Sequence, residues 1–64
     1  MVKINGRDMD AAGRTLADWL ASAGYDQKRV AVERNGDIVL KPQYRETVLR
    51  DGDVIEVVSF VGGG

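Results

Sequence analysis

Cysteine and histidine are both absent from this chain of 64 residues. Without cysteine there is no disulfide, no thiol nucleophile and no side chain to carry a persulfide, and without either residue nearly every zinc site is excluded. No imidazole is present for acid–base work. Ser22 and Ser59 therefore have nothing to activate them, which excludes a serine triad. No run of about 18 apolar residues occurs, so no membrane-spanning helix is expected. The opening stretch Met1-Val2-Lys3-Ile4-Asn5-Gly6 lacks the apolar centre of a signal peptide, which points to the cytoplasm. Nine basic residues face ten acidic ones, interspersed, with no basic stripe to track a phosphate backbone. Nucleic acid is not an expected partner.

The chain is also short. A domain of this size buries roughly 60% of the surface its unfolded chain exposes, enough for one modest core but not for a deep enclosed pocket. Any chemistry is expected to take place in a partner's pocket. The ten carboxylates, from Asp8 to Glu56, mostly sit beside glycine or alternate with apolar residues. They read as turns and solvated strand faces, Asp51-Gly52-Asp53 among them, rather than as a catalytic pair.

What the chain does have is glycine as punctuation. Val2-Lys3-Ile4-Asn5 alternates apolar and polar, and Asn5-Gly6 follows, the favoured pair for a two-residue hairpin turn. Residues 2–11 read as a β-hairpin with Val2, Ile4 and Met9 facing the core. Thr15 to Gly24 reads as a helix. Thr15 is its N-cap, Asp18 complements the positive end, and Leu16, Trp19, Leu20 and Ala23 form one apolar face. Gly24 is its stop. Residues 29–34 read as a strand, Asn35-Gly36 as a second hairpin turn, and Ile38-Val39-Leu40 as a short strand. Pro42 forbids a central strand beyond it, and Lys41 to Leu49 reads as irregular, with a helical turn near Gln43 and Tyr44. Val54 to Phe60 is the last and most apolar strand. One helix against about five short strands predicts an α+β fold with the helix across one face of a mixed sheet.

In that last strand, alternation sets Ile55 and Val57 toward the core and Glu56, Val58 and Phe60 on the opposite face. Two readings stand for Val58 and Phe60. They form a docking surface for a partner protein, or they belong to a strand covered on both faces or exposed by chance. The chain then ends in Gly62-Gly63-Gly64, a tail without side chains after a domain of residues 1–61. Four residues from Val61 reach roughly 13 Å. A glycine thread passes through a channel too narrow for any Cβ. With nothing after Gly64, a free α-carboxylate is expected at its tip. On the glycines alone, a frayed terminus or a linker scar is the better reading.

Five segments taken together change that balance. The Asn5-Gly6 turn, Thr15-Leu16-Ala17-Asp18-Trp19-Leu20, Val30 to Gly36, Val48-Leu49-Arg50-Asp51-Gly52-Asp53 and Phe60-Val61-Gly62-Gly63-Gly64 resemble the ThiS family, the sulfur carriers of thiamin biosynthesis, in order and at similar spacing. The resemblance implies the β-grasp, ubiquitin-like fold. It implies that a ThiF-type adenylyltransferase uses ATP and magnesium to adenylate the carboxylate of Gly64, while this chain itself binds no cofactor and no metal. Sulfur relayed from a persulfide enzyme then displaces AMP to leave a thiocarboxylate, a 1-thioglycine, at Gly64. A ThiG-type thiazole synthase consumes that sulfur. Gly62, Gly63 and Gly64 carry over as the segment entering the partner's active site, and Val58 and Phe60 as partner contacts. The chain is thus expected to be a carrier and co-substrate, not an enzyme. Rival readings are the small subunit of molybdopterin synthase, which shares the fold and the terminal Gly-Gly, a protein modifier that links Gly64 to a lysine, and an interaction module with an inert tail.

Overall fold

The computed structural model describes residues 1–60. Two turns of matching chemistry set its two hairpins. β1 (Val2–Ile4) turns through Asn5-Gly6 into β2 (Arg7–Met9), and β3 (Val30–Arg34) turns through Asn35-Gly36 into β4 (Asp37–Val39). Both asparagines adopt positive φ, 50° and 52°, and the glycines after them 82° and 88°. That is the pair of left-handed residues a two-residue hairpin loop requires, and Asn-Gly supplies it at least steric cost. β5 (Val54–Ser59) lies between the hairpins, parallel to β1 and antiparallel to β3. The sheet order is β2–β1–β5–β3–β4. With one helix over one face, this is the α+β arrangement of the β-grasp fold anticipated from the order of elements.

α1 (Leu16–Ser22) begins and ends as its residues dictate. The Thr15 hydroxyl accepts from the Asp18 amide at 3.1 Å. At the other end Tyr25 N–H donates to the Leu20 carbonyl and Gly24 N–H to the Ala21 carbonyl, the paired bonds of a Schellman motif, with Gly24 at φ +86°. Leu16, Trp19 and Leu20 are buried as the helical period predicts. Ala23 is exposed instead: the helix closes at Ser22, and the cap carries Ala23 away from the core.

The first two amides of α1 have no partner within the helix. They are satisfied from the irregular stretch 41–49: Leu16 N–H donates to the Thr47 carbonyl at 2.7 Å and Ala17 N–H to the Tyr44 carbonyl at 2.9 Å. The same stretch inserts Tyr44 and Leu49 into the core, 2% and 0% exposed. It begins with a 3-10 turn, Lys41–Gln43, close to where a helical turn was expected. A second 3-10 turn, Gln27–Arg29, capped by the Asp26 carboxylate, leads into β3 and had no sequence signature. The core joins Val2, Ile4, Leu16, Trp19, Leu20, Val30, Val32, Tyr44, Leu49, Ile55 and Val57, with Met9 partly buried against it. Among the described residues, no helix is long and apolar enough to cross a membrane.

Candidate docking face

β5 has two faces of different character. Ile55 and Val57 are buried beneath α1, whereas Val54, Val58 and Phe60 are exposed on or beside the open side of the sheet, Val58 and Phe60 each by 56%. The alternative in which the strand is covered on both faces is therefore wrong for the described chain. Cross-strand register extends the patch. Val58 lies opposite Ala31 of β3, and Glu33 of β3 lies between Glu56 of β5 and Ile38 of β4. Ile38 and Leu40 are 72% and 60% exposed. The open side thus carries apolar groups, Val58, Ala31 and Ile38, next to an acidic pair, Glu33 and Glu56. Exposed apolar area of this extent on a small sheet is the mark of an interaction site, and the acidic pair gives it a sign.

Sequence reasoning found Val58 and Phe60 but not Ala31, Glu33, Ile38 or Leu40. The alternation of Val30-Ala31-Val32-Glu33 already assigned Ala31 and Glu33 to the open side. What it could not show was which strands are neighbours.

The face ends at Phe60. Its N–H donates to the Arg29 carbonyl at 2.7 Å, one residue past the end of β5, so pairing with the β3 side holds the chain through residue 60. Gly62, Gly63 and Gly64, the expected tail and site of modification, lie outside the described residues, as does the boundary at residue 61.

At the opposite end of β5 a polar knot holds the second hairpin in place. The Asp53 carboxylate accepts from Arg34 Nε at 3.0 Å, from Asn35 Nδ2 at 3.1 Å and from the Arg50 amide at 2.9 Å. Asn35 Oδ1 in turn accepts from the Val54 amide at 2.8 Å. Asp53 is only 7% exposed, which corrects its reading as a solvated turn residue. Burial raises its pKa, but the Arg50 amide, the Asn35 side chain and the Arg34 guanidinium outweigh that, and the carboxyl sits below its ordinary value. These bonds make Asp53 a structural anchor. Asn5 does similar work at the first hairpin: its Oδ1 accepts from the Val57 amide at 2.7 Å and its Nδ2 donates to the Val57 carbonyl at 3.2 Å. Among the described residues, no three His, Cys, Asp or Glu side chains come together as a metal site.

With this geometry established, the relatives of the chain can be set beside it. The model of the ThiS family matches residues 2–64. The chain is 47% identical to the sulfur carrier protein ThiS of Bacillus subtilis (strain 168) over 66 residues, covering all of both chains. It is 44% identical over 62 residues to a thiazole synthase of Paramagnetospirillum magneticum. That match takes in 95% of this chain but only 19% of the relative, so the chain spans about a fifth of that protein's length. The crystal structure of a thiamine biosynthesis protein (ThiS) from Geobacter metallireducens superposes with a TM-score of 0.77 at 30% identity, over 98% of this chain and 97% of that one.

Proposed function

The chain belongs to the ThiS family, and we propose from that premise that it carries sulfur for thiamin biosynthesis as a thiocarboxylate on Gly64. The observation that carries the reading is the end-to-end match, at 47% identity, to a sulfur carrier protein. It favours this reading over a molybdopterin-synthase subunit, a lysine-linked modifier or an inert module.

The chemistry follows from the carboxylate. A carboxylate resists substitution because oxide would have to leave. Adenylation by a ThiF-type partner, which holds the ATP and magnesium, releases pyrophosphate and leaves an acyl phosphate from which AMP departs readily. Sulfur from a persulfide donor takes its place. The match between this chain and one fifth of a thiazole synthase supports a thiazole synthase as the consumer. The partners supply the catalytic groups; this chain supplies the acyl group, a narrow Gly62-Gly63-Gly64 thread, and a surface to grip.

We assign the grip to the open side of β5. Its support is the exposure of Val58 and Phe60, next to the point where the Phe60 amide is tied to Arg29. A partner seated there holds the chain close to the root of the thread. The acidic pair Glu33 and Glu56 calls for basic groups around the partner's apolar centre.

The test is the intact mass of the whole chain after incubation with a cognate activating enzyme, ATP, magnesium and a sulfur donor. A gain of one oxygen-to-sulfur exchange, lost when Gly64 is deleted, is the expected result. An adduct on another protein's lysine would establish the modifier instead, and an unchanged mass with every activating enzyme would leave only the inert module.

A further inference from the structure

The two edges of the sheet are not equally protected. Beyond Ile38 the β4 edge is closed by its own chain: the Leu40 amide donates to Gln43 Oε1 at 3.2 Å, and the Leu40 carbonyl accepts from the Gln43 amide at 2.8 Å. The β2 edge has no such cover. Lys3 N–H donates to the Asp53 carbonyl on the β5 side, so Lys3 and its partner Asp8 form a non-hydrogen-bonded pair of the β1–β2 ladder. Asp8 therefore turns both its N–H and its C=O outward. Among the described residues nothing bonds to either. An uncovered edge of this kind is a template for another strand.

Beside that edge, on the helix side of the sheet, lies a groove of about 250 Å³ between the first hairpin and the end of α1. Ile4, Met9, Trp19, Ala23 and Tyr25 line it, with Arg7 at its rim. Trp19 and Tyr25 lie with ring centroids 5.9 Å apart. We propose that the β2 edge and this groove bind an extended peptide segment of a partner protein by strand addition. The peptide backbone pairs with Asp8, and one apolar side chain enters the groove.

The charges say which occupant fits. A second copy does not: a two-fold pairing of β2 edges sets Asp8 against Asp8, and a shift of one residue either way sets Arg7 against Arg7 or Asp8 against Asp10. Like charges directly opposite one another oppose such pairing. A partner strand running antiparallel to β2 meets Met9, Asp8 and Arg7 in turn. It is matched by an apolar residue, a basic residue and an acidic residue, in that order. This surface is distinct from the Val58–Phe60 face, so the inference does not depend on sulfur loading.

The experiment is a titration of the whole ¹⁵N-labelled chain with a blocked hexapeptide centred on phenylalanine, lysine and glutamate. The expected result is saturable shifts at the amides of Arg7, Asp8 and Met9 and at the Trp19 indole, with slowed exchange of the Asp8 amide. Exchanging lysine and glutamate in the peptide, or Asp8→Lys in the protein, weakens binding at least fivefold. Ala23→Lys, at an exposed position where a cation suits the helix end, fills the groove and abolishes binding while the melting temperature holds. If Ala23→Lys disturbs the fold, the exposed Asp8→Lys variant decides alone. Shifts confined to Val58 and Phe60 or to the β4 edge, indifference to the charge order, or a concentration-dependent dimer would each overturn the proposal.

Discussion

Replacing Asp53 by asparagine changes almost no volume, so its effect isolates the polar knot at the base of β5. The carboxylate places Oδ2 against Arg34 and the Arg50 amide, and Oδ1 against Asn35 Nδ2. An amide has only one oxygen. If that oxygen faces Arg34, the new NH2 meets the Asn35 NH2. Turning Asn35 over would relieve that clash but would withdraw the acceptor from the Val54 amide. If the oxygen faces Asn35 instead, the NH2 confronts both Arg34 and Arg50. Every orientation leaves a donor facing a donor. Hydrogen bonds to charged groups contribute about 1.5–3 kcal/mol each, and an unpaired buried donor costs a similar amount, so Asp53→Asn is expected to cost roughly 2–3 kcal/mol. A chain of this length has roughly 3–10 kcal/mol in total. For a domain this small the loss lowers the melting temperature by about 10–20 °C.

The assay is thermal and urea unfolding followed by the fluorescence of Trp19, the sole tryptophan, as a function of pH. Asp53 has a folded pKa below its ordinary value of 3.8. The unfolded chain therefore takes up the proton first as acid is added, and the stabilisation present above 3.8 is lost as the pH falls through the lower folded value. Asp53→Asn removes that acid-side slope together with the stability at neutral pH. A variant that melts within about 2 °C of the parent, or that keeps the same steepness below pH 4, would refute the account of the knot.

Burial holds the Tyr44 phenol above its ordinary pKa of 10.0, so its neutral form belongs to the fold. Its contribution is intact below pH 10 and is lost as the pH rises through the folded value. Tyr44→Phe should flatten that alkaline loss in a urea-midpoint series while changing stability at pH 7 by no more than about 1 kcal/mol. Asn5→Asp keeps the acceptor for the Val57 amide but sets a carboxylate against the Val57 carbonyl; a loss of about 1–2 kcal/mol in urea unfolding is expected. Phe60→Ala removes an exposed ring and should leave the unfolding midpoint within about 0.5 kcal/mol of the parent while weakening the activating enzyme's affinity at least fivefold, read by calorimetry. An unfolded variant would place Phe60 in the core instead.

The parts of this fold legible in the sequence are those governed by neighbours along the chain. Asn5-Gly6 and Asn35-Gly36 announce their turns because positive φ is a local demand. Thr15 and Gly24 announce the ends of α1 because caps are built from residues three to five apart. What resisted reading is governed by residues far apart. Asp53 looks like a turn residue beside Gly52; only the return of Arg34 and Asn35, 19 and 18 positions earlier, buries it. Tyr44 and Leu49 belong to no period, because the stretch that carries them is shaped by the α1 amides it serves. Ala23 obeys the helical period and is still exposed, since the cap ends that period one residue too soon.

The same distinction explains how so short a chain can both fold and present a partner surface. β5 lies in the middle of the sheet, with hydrogen bonds to β1 and β3 on its two sides. Its alternation then divides the labour. Ile55 and Val57 go into the core, where truncating such a side chain to alanine costs roughly 2–5 kcal/mol, much of what the chain has. Val58 stands on the open side, and Phe60 follows it, both beyond the reach of that core. Changes there alter recognition with little effect on folding. A period of two along one central strand therefore lets the docking face vary independently of the core, and the pairing of Phe60 with Arg29 places the edge of that face at the last residue the sheet holds.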